Sequence, residues 1–246
     1  MKRAFIFSIF ILTAATVFVS CKEDDPDPGK LQITFEMAKD GQTVNLNETF
    51  ANDSVAAVRI ENLKFYLSHI ILEDKGELRD VEIVDFVQGR LAFTFDDIDA
   101  KTYSGLSFDV GLDNDQNASY PPDFETGTPL SASWAMYWSW AMKYRFVIIE
   151  GRGAPDGTFD ASPDDFNLVI HPGMDGWNRA VNLSDDIVIK EGRTTSLTVQ
   201  IDVDDMFNGP AGFMDLRLEN TSHTTPADKD IAEKFMVNFA AAMSAK

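Results

Sequence analysis

The sequence predicts an all-β protein: an antiparallel β-sandwich, immunoglobulin-like or similar, with one α-helix packed on it at the C-terminal end. Three observations carry this. Leu197, Val199, Ile201 and Val203 alternate with Thr198, Gln200 and Asp202, the period-two pattern of a half-buried strand. Short apolar or alternating runs recur from Leu31 to Phe213, broken by turn clusters such as Glu73-Asp74-Lys75-Gly76, Gly151 to Gly157 and Lys190-Glu191-Gly192. Helical spacing appears only at the end, in Ile231, Phe235, Phe239 and Ala242.

The elements follow in order. Lys2 and Arg3 precede an apolar run, Ala4 to Val19, that is short for a membrane span and suits a signal-peptide core. Phe18-Val19-Ser20-Cys21 resembles a bacterial lipobox, so residues 1–20 are expected to be removed and Cys21 to carry a diacyl or triacyl anchor. Residues 21–29 are charged and Pro-containing and should form an acidic tether. Residues 30–246 then make one domain. Its strand candidates are Leu31–Phe35, Leu63–Leu72, Val81–Phe86, Leu91–Phe95, Leu106–Val110, Tyr144–Glu150, Phe166–Ile170, Ile187–Lys190 and Leu197–Val203. Thr225 as N-cap, Pro226 at the first helical position and Asp228 at the third predict a helix over 226–243.

Composition narrows the function. The chain has 246 residues, 44% of them apolar, enough for a sizeable core. A net charge of −19 argues against nucleic acid as a partner. With one Cys there is no disulfide framework and no Cys-rich metal site. No phosphate loop, HExxH or dinucleotide fingerprint is present, no Ser sits in a nucleophile elbow, and the scattered Asp pairs lack Ca²⁺-loop spacing. No enzymatic activity is expected.

Three histidines remain to carry chemistry. His171 ends the run Phe166–Ile170, and His223 stands just before the helix cap; both lie where rigid elements can present a metal ligand. His69 lies inside a strand candidate and reads as a strand histidine that can act as a third donor. Trp134 to Phe146 holds three of the four Trp. Of Trp138 and Trp140, one is expected buried and one displayed as a site wall, with Met136 as a soft neighbour.

Four runs in this order are similar to the MbnP-like family of periplasmic or surface copper-binding proteins. They are Asn62–Ser68, then Tyr103–Asp113, then Met136–Trp140 with Tyr144-Arg145-Phe146 and Glu150-Gly151, then Ile170–Gly173. The resemblance implies a mostly β fold and copper bound through histidine. It also implies a di-haem partner enzyme that oxidises a Trp, here Trp138 or Trp140, to kynurenine, which then helps hold the metal. His171 matches a family motif position, and His223 matches the pre-helix His of lipoprotein-type members. His69 falls where those members more often have Asn. Many members carry an Asn-His pair near Leu112–Asp115, where this chain has no His. The expected function is an extracytoplasmic lipoprotein that captures or buffers copper, held at the outer membrane and facing either the periplasm or the exterior. The alternative is a non-catalytic surface lipoprotein whose sandwich binds an organic ligand or a partner protein.

Overall fold

A computed structural model describes residues 26–139 and 143–246. The signal segment, Cys21, most of the expected tether and Trp140 lie outside the described residues. The principal strands are β1 (Gly29–Lys39), β2 (Ala57–Leu72), β3 (Gly76–Asp85), β4 (Ala92–Ile98), β5 (Leu106–Val110), β6 (Val147–Ala154), β7 (Phe166–Ile170), β8 (Arg179–Leu183), β9 (Thr194–Asp202), β10 (Thr221–Ser222) and β11 (Met243–Ala245). A one-turn helix, α1 (Asn114–Asn117), follows β5, and α2 (Lys229–Ala241) precedes β11.

Two sheets face each other. In the first, β11, β9 and β1 run in that order, and β4 pairs with the other side of β1. In the second the order is β8, β5, β2, β6, β7, β10, with β3 also on β2. Most pairings are antiparallel. Among the described residues two are parallel: β1 with β9, from Lys30 opposite Thr194 to Ala38 opposite Asp202, and β7 with β10. The sheets meet through edge-to-face aromatic contacts: Phe35 of β1 stands 5.7 Å from Phe65 of β2 and 5.9 Å from Phe108 of β5. Such pairs prefer this T-shaped geometry because the ring edge is positive and the face negative.

Because Phe65 points into the sandwich, alternation sends Tyr66 to the outer face of the second sheet. Tyr66 is nevertheless fully buried. The long connection from Gly111 to Phe146 lies over it: Tyr144 packs edge-on at 5.8 Å, and the Tyr66 hydroxyl donates to the Pro129 carbonyl at 3.1 Å. This connection also carries Trp138 and Arg145, so covering the sheet and delivering those side chains are one structural task.

Several sequence expectations need correction. The helix spans Lys229–Ala241 rather than 226–243. Thr225 to Asp228 form a turn first, in which Asp228 Oδ1 accepts from the Thr225 N–H at 2.6 Å, the returning half of the expected capping box. At the other end Met243–Ala245 leave the helix to pair with β9. Gly151 and Gly153, read as turn residues, stand inside β6. A Cβ on Gly151 would meet the Arg59 carbonyl oxygen at 2.1 Å, so close strand approach, not a turn, requires glycine there. Gly29, placed in the tether, is the buried first residue of β1.

Candidate metal centre

The parallel pairing of β7 with β10 builds the site. Ile170 is in register with Ser222, and the His171 N–H donates to the Ser222 carbonyl at 2.8 Å. One residue further on, His171 and His223 fall at the same level, and their ring centroids lie 5.3 Å apart. Thr224 locks the step: its Oγ1 donates to the His171 carbonyl at 3.2 Å and accepts from the Gly173 N–H at 3.2 Å. The His223 N–H donates to Asp228 Oδ2 at 3.1 Å, which ties the ligand segment to the turn before α2.

Trp138 arrives from the hairpin that pairs Tyr137–Ser139 with Lys143–Tyr144. Its indole is edge-on to both imidazoles, 5.1 Å from His223 and 6.2 Å from His171. The Arg145 guanidinium stacks over the same indole at 4.9 Å, a cation–π contact. Trp138 is 40% exposed and so forms the displayed wall. Residues two apart on a strand share a face, so alternation does not separate Trp138 from Trp140 as expected. Met136 is fully buried in the core rather than offered beside the imidazoles.

Glu150 of β6 completes the arrangement. Its Oε1 lies 2.9 Å from His171 Nε2, and its Oε2 accepts from Asn62 at 3.0 Å. When the carboxylate oxygen accepts in this contact, His171 carries its hydrogen on Nε2 and its lone pair on Nδ1. Burial pushes the His171 imidazole down to about 4; Glu150 opposes this, while Arg145 and His223 add to it. Burial likewise lowers the Arg145 guanidinium, with Glu150 opposing. Among the described residues His223 Nδ1 is buried with no hydrogen-bond partner.

Two imidazoles held this way suit a transition metal. At metal–nitrogen bonds of about 2.0–2.1 Å, two rings on one ion have centroids roughly 5–6.4 Å apart, and the pair falls within that span. The orphaned His223 nitrogen and the carboxylate-oriented His171 are what a metal ligand set requires. The recess between Trp138, Arg145, His171 and His223 encloses about 150 Å³.

His69 stands elsewhere. It has φ +49° and lies in the stretch of β2, between Ser68 and Ile71, where the register with β5 shifts; the register with β3 shifts just beyond it, between Ile70 and Ile71. Its Nε2 faces Asp113 Oδ2 at 2.9 Å and its Nδ1 faces Glu77 Oε1 at 3.3 Å. The structure therefore gathers His171, His223 and Trp138, and leaves His69 with carboxylates. Glu150 was visible in sequence only as part of a motif; the sign that marks it is a single carboxylate after the apolar run Val147-Ile148-Ile149.

Comparison with known proteins gives the following. A solved structure, MbnP from Methylosinus trichosporium, aligns over 84% of this chain and 94% of its own at 16% identity, with a TM-score of 0.46. No curated protein matches the sequence. The family model described as MbnP matches residues 28–226, which include β1 through β10, the Trp138 hairpin and both His171 and His223; the chain belongs to the MbnP family.

Proposed function

We propose that this chain is an extracytoplasmic lipoprotein that captures or buffers copper on the His171–His223 pair. The observation that carries the reading is the pair itself: two imidazoles in register at 5.3 Å, one with a buried free nitrogen and the other oriented by Glu150. Family membership favours copper, as does the high affinity of nitrogen sites for Cu²⁺ in the divalent series. The recess is too narrow to admit even a water-sized sphere, whereas pockets for organic ligands run to roughly 300–1,000 Å³. Away from the pair, a groove of about 530 Å³ beside Arg152, Phe159 and Phe166 is of a size for one.

Two imidazoles leave coordination positions open. Trp138 borders both rings and is accessible, so it is the described Trp suited to conversion by a di-haem partner into a further donor. The lipobox-like Cys21 supports anchorage at the outer membrane. Among the described residues no helix is long and apolar enough to cross a membrane.

Copper titration of the metal-free full chain tests the site, and metal analysis with intact mass on protein from its native host tests loading and Trp oxidation. A chain that binds no copper, or that binds it equally well without both histidines, ends this reading. For the anchor, a Cys21→Ser variant that stays in the membrane fraction as firmly as the parent removes the lipoprotein assignment.

A further inference from the structure

The His69 cluster has the composition and arrangement of a site in its own right. One ring nitrogen of His69 and one carboxylate oxygen each of Glu77 and Asp80 lie within 4.8 Å of one another, and neither His171 nor His223 belongs to this group. His69 lies between Ser68 and Ile70, which pair with Val81 and Arg79 of β3, and β3 contributes both acids.

The ring is already oriented as a bound one would be. Its Nε2 is engaged by Asp113 Oδ2 at 2.9 Å, leaving Nδ1 toward Glu77 at 3.3 Å. A carboxylate on the far nitrogen of a ligating imidazole is the usual outer support of a metal site, since it fixes the tautomer and raises ligand basicity. Behind it stands a second layer. Gln116 of α1 donates Nε2–H to Asp80 Oδ1 at 2.7 Å, and its backbone N–H donates to Asp113 Oδ1 at 2.7 Å. One residue thus holds both a candidate ligand and the imidazole's support.

Charge points the same way. Among the described residues, Glu77 and Asp113 have His69 as their only ion-pair partner, and Asp80 has none. Three carboxylates around one imidazole lack a matching cation. A divalent ion supplies it, and the closing movement needed is that of exposed side chains.

We propose that His69, Glu77 and Asp80 form a second cation site, distinct from the His171–His223 pair, which takes a divalent metal of nitrogen and oxygen preference, Zn²⁺ foremost, with Asp113 as the positioning residue for the imidazole. The donor set contains no sulfur, which disfavours Cu⁺, and imidazole nitrogen and carboxylate oxygen are both zinc donors. Solvent fills the remaining position.

The test is Zn²⁺ titration of the full chain carrying His171→Ala and His223→Ala, so that the other pair cannot compete, with its melting temperature checked against the parent. One Zn²⁺ per chain is expected. Glu77→Gln or Asp80→Asn, both at exposed positions, should weaken it at least tenfold, and Asp113→Asn by roughly 10–100-fold. The same two ligand substitutions in the otherwise unaltered chain should remove one bound Zn²⁺. No Zn²⁺ on a normally melting double variant, or unchanged stoichiometry and affinity after Glu77→Gln and Asp80→Asn in either background, overturns the proposal.

Discussion

Glu150 and His171 meet across the antiparallel β6–β7 pairing, carboxylate Oε1 to imidazole Nε2 at 2.9 Å, because Glu150 stands opposite Val169 and His171, two residues beyond Val169, is its diagonal neighbour on the same face. The contact decides which imidazole nitrogen is free for a metal.

Replacing that carboxylate by an amide tests the contact. Glu150→Gln keeps the size but leaves His171 free to adopt the other tautomer. Copper affinity should fall by roughly 10–100-fold, the usual effect of losing such support. Titration against the parent chain reads this directly, and an unchanged affinity means Glu150 does not orient the ligand.

Removing either ligand is the more direct experiment. His171→Ala and His223→Ala should each weaken copper binding at least tenfold, about 1.4 kcal/mol. His69→Ala should weaken it less, since its ring is engaged by Asp113 and Glu77. Equal losses for all three would mean that one ion gathers them all.

Acid should act on the two environments with opposite sign. In the metal-free chain folded His171 resists protonation down to about 4, against 6.5 for an ordinary histidine. Its contribution is intact above pH 6.5 and is lost as the pH falls from there toward 4. For His69, burial acts downward, but the hydrogen bonds to Asp113 and Glu77 and their charges outweigh it and leave the imidazole raised. That contribution is complete below pH 6.5 and fades as the pH rises through the folded value. In urea unfolding of the metal-free chain across this window, His171→Asn should lose less stability on acidification than the parent, and His69→Asn more.

The helix should prove essential to the core. Phe235 is fully buried, stacked on Phe239 at 5.4 Å and close to Phe207 at 6.1 Å. Phe235→Ala should cost about 3–5 kcal/mol, lowering Tm by on the order of 10 °C. A loss under about 1 kcal/mol, the range of surface changes, would mean that α2 is not docked.

How far the sequence reveals all this depends on whether a residue's task is local. Leu106–Val110 and Phe166–Ile170 are strands residue for residue, because apolar runs or alternation follow from which face is buried. β8 escapes, since Arg179, Ala180 and Asn182 dilute its two buried positions, Val181 and Leu183. β10 has only Thr221 and Ser222 and so shows no period at all, yet its parallel pairing sets the level of His223. His171 and His223 could be singled out as boundary residues; their register could not. The register shift at His69 is equally silent, because the flanking residues Ser68 and Ile70 continue an unbroken strand pattern.

The parallel pairing of β1 with β9 has a mechanical consequence. Tension on the chain N-terminal to Gly29 runs along β1, which is held by β9 on one side and by β4 and the short strand Gln42–Val44 on the other. The inter-strand hydrogen bonds lie across that pull and share the load together, in shear, rather than opening one after another like a zipper. A pull from that side is thereby taken up along the length of β1, and the His171–His223 pair, on the other sheet, lies outside the line of force.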